Sequence, residues 1–197
     1  GIEIENDNIQ SLKNRKTICI KGYEDGVGKA KQVLQAIESL ALDELDFLIF
    51  SADEDVVQFI GNSEYFRFKK VEIISRKFFL SNKSLVQKFG NCILYIGNSS
   101  SDGMPNSLLE AMGMGVFPIQ SNPGNATVEV ISSGINGYLI QNPDDSSEIA
   151  NHILSALQNT SLLQDSMMHN TNFISENYNR AKLRDKIVSL YLTVLQT

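Results

Sequence analysis

The chain has 197 residues, 42% hydrophobic and 20% charged, the composition of one sizeable globular domain rather than of a disordered chain. No apolar run approaches the ~18 residues of a membrane span, and no signal-peptide pattern is read ahead of the first strand-like run. With 23 acidic against 17 basic residues, the net charge of −6 argues against nucleic acid as a partner; the clustered bases at 13–31 and 67–77 leave room for a small anion held locally.

Residues 1–16 are polar without sustained periodicity and read as a lead-in segment; a chain opening on Gly1 rather than Met is expected to be processed or cut from something longer. The run 17–21 (TICIK) is a buried strand, followed by a glycine-bearing turn and a helical pattern over 28–40. A second strand at 47–51 leads into a helix through Asp53, Val56, Val57 and Ile60. A third, at 71–75, leads into a helix that Ser81 is placed to cap and that runs to about Lys88. Strand four is 92–96 and the next helix 107–114. Strand five is 116–120, followed by a short helix at 126–132 and by strand six at 137–140. From Pro143 the pattern is helical, with breaks expected near 170–172 and 177–179. The last helix, 180–195, repeats Leu183, Ile187, Leu190, Tyr191 and Val194 at three- and four-residue spacing, so one face is built to pack. Cys19 and Cys92 lie in apolar runs and are expected as buried free thiols of a reducing, cytoplasmic compartment.

Apolar strands alternating with helices require a parallel sheet covered on both faces. The expected fold is α/β: a doubly wound, six-stranded, Rossmann-like sheet ordered 3-2-1-4-5-6. In such a sheet ligands bind beyond the carboxyl ends of the strands, which directs attention to 22–28, 75–81, 97–106 and 121–125. The third of these is the richest. Asp102 lies at the end of strand four, Gly103 lets backbone amides approach a ligand, and Pro105 suits a first helical turn. The unpaired amides through Met104 and Asn106, with the helix dipole, form an anion site. Glu110, about a turn on, can accept from a ribose diol. The plainer alternatives are that Asp102 caps the helix and that Glu110 sits in a salt bridge. In the segment Arg76-Lys77-Phe78-Phe79 after strand three, Arg76 can reach a phosphate and an aromatic can stack on a base, or these are simply solvated bases and a packed aromatic pair. The segment 22–29 approaches a phosphate-cradling NTPase loop, but five residues separate its glycines instead of four and Ala30 replaces the Mg²⁺-binding hydroxyl. His152 and His169 have no metal-ligand spacing. Asn82, Asn98, Asn125 and Asn159 open Asn-x-Ser/Thr sequons, which mean little without a secretion signal.

The run Asp-Gly-Met-Pro-Asn-Ser-Leu-Leu-Glu-Ala-Met-Gly-Met-Gly-Val-Phe-Pro-Ile, beginning at Asp102, resembles the Glu-x7-Glu region of the group 1 (family 4) retaining glycosyltransferases. Gly124-Asn125, Glu129, Gly134-Ile-Asn-Gly-Tyr-Leu-Ile and Asn142-Pro-Asp-Asp follow in that family's order. The resemblance is specific over 92–157 and loose over 17–91, and it falls on the carboxyl-terminal, donor-binding domain. It implies half of a glycosyltransferase-B fold, transfer from a nucleotide-diphosphate sugar with retention, and no metal or other cofactor. Within 17–197, residues from about 178 to 196 would cross to an amino-terminal acceptor domain that this sequence does not contain, so the isolated domain would be inactive. Asp102 would orient the sugar and Glu110 hold the ribose. Gly103, Met104, Pro105 and Asn106, with Lys21, Lys29 and Arg76, would hold the diphosphate, and Gly124 and Asn125 would close on the sugar. Two departures stand out: Asp102 replaces the family's first Glu, and the diphosphate loop, usually an Arg with a Lys five residues later, has Gly28 at the Lys position. The resemblance further implies surface polysaccharide or glycan synthesis by a cytoplasmic enzyme, peripheral to the inner face of the plasma membrane. A non-catalytic nucleotide-binding module and a nucleotide-sugar epimerase of related fold remain as alternatives.

Overall fold

The computed structural model describes residues 2–3, 8–78 and 80–195. Six parallel strands, β1 (Thr17–Lys21), β2 (Asp46–Ala52), β3 (Val71–Ser75), β4 (Cys92–Gly97), β5 (Phe117–Ser121) and β6 (Tyr138–Ile140), pair in the order β3-β2-β1-β4-β5-β6. This is the topology expected of the sequence. The helices are α1 (Ala30–Leu40), α2 (Glu54–Asn62), α3 (Asn82–Phe89), α4 (Asn106–Gly113), α5 (Ser146–Leu157), α6 (Thr160–Asn177) and α7 (Arg180–Leu195). Because side chains alternate along a strand, the sheet divides its apolar residues between two layers. Ile18, Ile20, Phe47, Ile49, Leu94 and Ile96 pack under α1, α2 and α5, and Cys19, Leu48, Phe50, Cys92 and Tyr95 pack under α3, α4 and α6. The edge strand β3 is the exception, with Ile73 open to solvent. Both cysteines are buried free thiols, and burial raises the Cys19 thiol well above its ordinary range.

Two local expectations are corrected. The short helix at 126–132 is instead two 3₁₀ turns, Pro123–Asn125 and Thr127–Glu129. Gly124 and Asn125 both adopt left-handed backbone (φ 69° and 60°), which ends one turn before the next can extend. The break expected near 170–172 is absent, and α6 runs unbroken to Asn177. There the polar residue that suggested an end is buried. The Asn170 carboxamide donates to the Asn136 carbonyl (2.9 Å), and Asn136 donates back to Asn170 Oδ1 (3.0 Å). The break at 177–179 is where α6 gives way to α7, and Ser81 caps α3 by accepting from the Ser84 amide.

The lead-in segment carries a structural charge. Arg15 is 5% exposed, and its guanidinium donates to the carbonyls of Gln10 (2.9 Å), Cys92 (2.9 Å), Met114 (2.9 Å) and Gly115 (3.1 Å). Burial lowers its pKa to about 10, so it stays protonated at neutral pH and ties the start of β1 to the start of β4 and the end of α4. Replacing Arg15 by Met strands several buried carbonyls, each with a desolvation cost of its own. Arg15→Met is expected to lower the free energy of unfolding by about 3 kcal/mol in urea titrations, with Arg15→Lys recovering only part of the loss because an ammonium cannot spread over all four acceptors.

Candidate functional site

The sheet order reverses between β1 and β4, so the connections leaving these two neighbouring strands diverge and open a crevice at their carboxyl ends. The β1–α1 and β4–α4 loops are then tied across it. The Lys29 amide donates to the Asn98 carbonyl (3.0 Å), the Ser100 amide to the Val27 carbonyl (2.9 Å), and the Asn98 carboxamide to the carbonyls of Lys29 (3.1 Å) and Pro143 (2.8 Å). From the other side, Ser121 at the end of β5 accepts the Ser99 amide (2.9 Å).

On this frame Lys21, the last residue of β1, meets Asp102 in an ion pair of 2.9 Å, both groups partly buried. Asp102 is therefore not a helix cap: Pro105 occupies the N-cap position of α4. The loop from Gly103 brings its backbone into open space, since a Cβ there would meet nothing within 4 Å. The amides of Asn106 and Ser107, the first two of α4, have no carbonyl a turn behind them within the helix. Asn106 is exposed, Met104 half-buried and Pro105 buried. The site thus offers a helix N-terminus, a lysine and a carboxylate at one edge.

Glu110, a turn further along α4, is 8% exposed. Its Oε1 accepts from the Asn82 carboxamide at 2.8 Å, rather than from a lysine or arginine as a simple salt bridge would require. Burial raises the Glu110 carboxyl above its ordinary range, against the lowering effects of the Asn82 hydrogen bond and the charge of Arg180. Beneath the loop, the Tyr95 hydroxyl bonds Ser107 Oγ (3.0 Å), and its pKa is raised mainly by burial, with Asp102 and Glu110 adding to the effect.

The remaining predicted residues are placed differently. The Lys29 ammonium turns away from Lys21 to Asp144 in the β6–α5 connection (2.8 Å), which raises its pKa. Arg76 lies close to the β1 loop, paired with Asp25 (3.0 Å) and Asp53 (3.3 Å), which together hold its pKa up. Gly124 and Asn125 are exposed beyond β5, and among the described residues neither is hydrogen-bonded to Asp102 or Glu110. Phe78 is exposed, beside a cleft lined by Phe50, Ser51, Ile74, Arg76 and Leu85, while Phe79 lies outside the described residues. Ser51 is bulged out of register at the end of β2 with φ 52°, a conformation unusual for serine, and it faces this cleft. The sequence reading did not assign Asn82, Tyr23, Asp25 or Asp144 to the site. Asn82 stands out in the sequence only as a sequon, although its place directly after the α3 cap, in the connection that follows β3, is a usable signal.

The family model described as glycosyl transferases group 1 matches residues 67–180, more than half of the chain. No curated protein matches the sequence. Among solved structures, Anabaena Alr3699/HepE in complex with UDP and glucose superposes with a TM-score of 0.72 at 16% identity, over 91% of this chain and 49% of that one. The pneumococcal O-GlcNAc transferase GtfA in complex with UDP and GlcNAc gives 0.71 at 22% identity, over 96% and 39%. A glycosyltransferase from Rickettsia africae ESF-5 gives 0.76 at 17% identity, over 93% and 49%. The chain thus spans half or less of the length of these relatives, and the likeness to each is one of fold.

The buried carboxylate yields a pH test. An acid whose folded pKa lies above its unfolded one binds its proton more tightly when folded, so burying it costs little at low pH and more as pH rises through both values. Glu110→Gln keeps the acceptor for Asn82 and removes the charge. It should raise the urea midpoint at pH 7.5, with the gain shrinking as pH falls towards 4; an equal gain at both pH values would contradict the placement of the carboxylate.

Proposed function

The chain belongs to the group 1 glycosyl transferases, and on that premise we propose that it is the donor-binding half of a retaining enzyme that moves a sugar from a nucleotide diphosphate to an acceptor hydroxyl. The observation that carries the reading is the convergence at one sheet edge of the α4 amides, Lys21 with Asp102, and the buried Glu110, all inside or beside the matched segment. In this reading Glu110 accepts from the ribose hydroxyls, the amides at Gly103, Met104, Asn106 and Ser107 face the diphosphate, and Asp102 orients the sugar. Gly124 and Asn125 close over it from β5. Cations and amides, rather than a bound metal, take up the charge that grows on the departing diphosphate. UDP is the first candidate donor nucleotide, since it is bound in the Alr3699/HepE and GtfA structures.

A second half, carrying the acceptor, completes the cleft. That proposal is supported by the length ratio above and by α7. Ile187, Leu190 and Tyr191 of its predicted packing face are 52%, 59% and 69% exposed, and Val188 and Leu192 beside them are equally open; the Val194 side chain lies outside the described residues. A helix with these apolar side chains left exposed is suited to cross to a partner domain. Work in surface polysaccharide or glycan synthesis, in the cytoplasm against the membrane's inner face, fits the same class of enzyme; among the described residues no helix is long and apolar enough to cross a membrane. A second reading, a nucleotide-binding module that has lost transfer, draws on the shorter Asp102 and its engagement by Lys21.

Calorimetric titration with UDP, GDP and ADP is expected to find binding in the micromolar-to-millimolar range, roughly −4 to −8 kcal/mol. Glu110→Ala should lose about 1.5–3 kcal/mol, the worth of hydrogen bonds to a charged group. EDTA should leave the affinity unchanged, and this chain alone should transfer no sugar, because positioning of the acceptor oxygen needs the second wall. Absence of nucleotide binding at millimolar concentration, or equal binding by Glu110→Ala, would refute the site. In the protein joined to its acceptor half, sugar transfer by wild type that Glu110→Gln impairs supports the enzyme; nucleotide binding with no transfer supports the module.

A further inference from the structure

The β1–α1 loop departs from the family's Arg-and-Lys spacing, and the backbone explains the lysine's absence at one of the two positions. Position 28, where a lysine is expected, cannot accept one: a Cβ on Gly28 would lie 2.5 Å from Cβ of Tyr23 and closer still to its carbonyl oxygen. Five residues earlier, where an arginine is expected, stands Tyr23 itself. Gly28 lets the turn close on the Tyr23 backbone, whose carbonyl accepts the Ala30 amide at the start of α1 (3.1 Å).

The Tyr23 ring in turn collects cations. Lys21 Nζ lies over it at 4.5 Å from the centroid, and the Arg76 guanidinium carbon at 4.2 Å, although Arg76 comes from the far side of β2. Both distances fall within the range of cation–π attraction, in which the negative face of the ring holds positive charge. Asp25 and Asp53 fix the outer side of Arg76, and Asp102 fixes Lys21. Lys29, the other lysine of this loop, is over neither the ring nor Asp102, being held by Asp144.

We propose that Tyr23 is a positioning residue that gathers Lys21 and Arg76 into the cation pair for the donor's diphosphate, and that Lys29 has no part in that pair. The inference rests on the nucleotide-sugar reading of the site and adds to it which side chains meet the phosphates. Arg76 offers a planar fork to phosphate oxygens and Lys21 a point charge. In the free protein Asp25 and Asp102 occupy these two cations, so an arriving diphosphate exchanges with carboxylates that are at least partly exposed. Asp102, released from Lys21, is then available to the sugar.

The test separates phosphate from nucleoside. UDP and uridine are titrated into wild type, Tyr23→Leu, Tyr23→Phe, Arg76→Gln and Lys29→Ala; if GDP or ADP binds the wild type more tightly, that nucleotide and its own nucleoside replace them. Tyr23→Leu and Arg76→Gln should each weaken UDP by about tenfold, as expected when a charge-assisted contact loses its aim, and leave uridine unchanged. Tyr23→Phe keeps the ring and should restore most of the UDP affinity, and the double variant Tyr23→Leu/Arg76→Gln should lose less than the two single losses combined. Lys29→Ala should bind UDP as wild type does. The inference is overturned if Tyr23→Leu retains wild-type UDP affinity, if it loses uridine in the same proportion, or if Lys29→Ala suffers the larger loss. Should Tyr23→Leu fail to fold, Arg76→Gln and Tyr23→Phe decide: wild-type UDP affinity in the first, or a tenfold loss in the second, refutes it. A wild type that binds neither UDP, GDP, ADP nor any nucleoside would instead refute the underlying reading of the site.

Discussion

The adjacency of β1 and β4 is the constraint from which the site follows. The chain builds outward from β1 through β2 to β3, then returns to the middle of the sheet and pairs β4 against the other side of β1. Parallel strands joined in this way send their next helices to opposite faces, and the space between the diverging loops cannot be filled by either. Lys21 and Asp102 are 81 residues apart in sequence and 2.9 Å apart in space because of that one return. Glycine is needed at the rims. A Cβ on Gly22 would lie 2.7 Å from the Ala52 backbone, and Gly97 is covered by the Gln120 side chain. The crevice is held in shape by backbone bridges from Asn98 and Ser100 rather than by the charged groups, which therefore remain free to change partners.

That freedom matters because the chain is acidic and nevertheless reads as an anion binder. The cations at the crevice each have a carboxylate partner: Lys21 has Asp102, Arg76 has Asp25 and Asp53, and Lys29 has Asp144. Ion pairs at such partly exposed positions contribute little to stability, typically under about 1 kcal/mol each. Exchanging one carboxylate for a phosphate is therefore cheap for the fold, and the carboxylates keep the region near neutrality when no ligand is bound. Arg15 stands at the other extreme. Its charge is buried against four carbonyls, has no freedom to exchange, and serves the fold alone. Burial and exposure thus separate the fixed cation from the exchangeable ones more clearly than residue type does.

Much of this was legible in the sequence. Strand and helix identity, strand order and the loops that matter follow from hydrophobic periodicity and from the rule that places ligands at carboxyl strand ends, because both depend on local pattern and on a topology that few alternatives satisfy. The run from Asp102 to Glu110 carried its own signature, as did the cap at Ser81. What sequence could not supply was the pairing of side chains across those loops. Whether Asn170 ends a helix or bonds Asn136, whether Lys29 faces Lys21 or Asp144, and whether Glu110 meets a base or the Asn82 amide are decided by which elements lie side by side. A polar residue carries the same local preference in each case. Arg15 and Tyr23 show the same limit most plainly. An arginine in a polar lead-in and a tyrosine in a turn look ordinary until the sheet closes, because only then do four carbonyls converge on the one and the distant Arg76 joins the neighbouring Lys21 over the other.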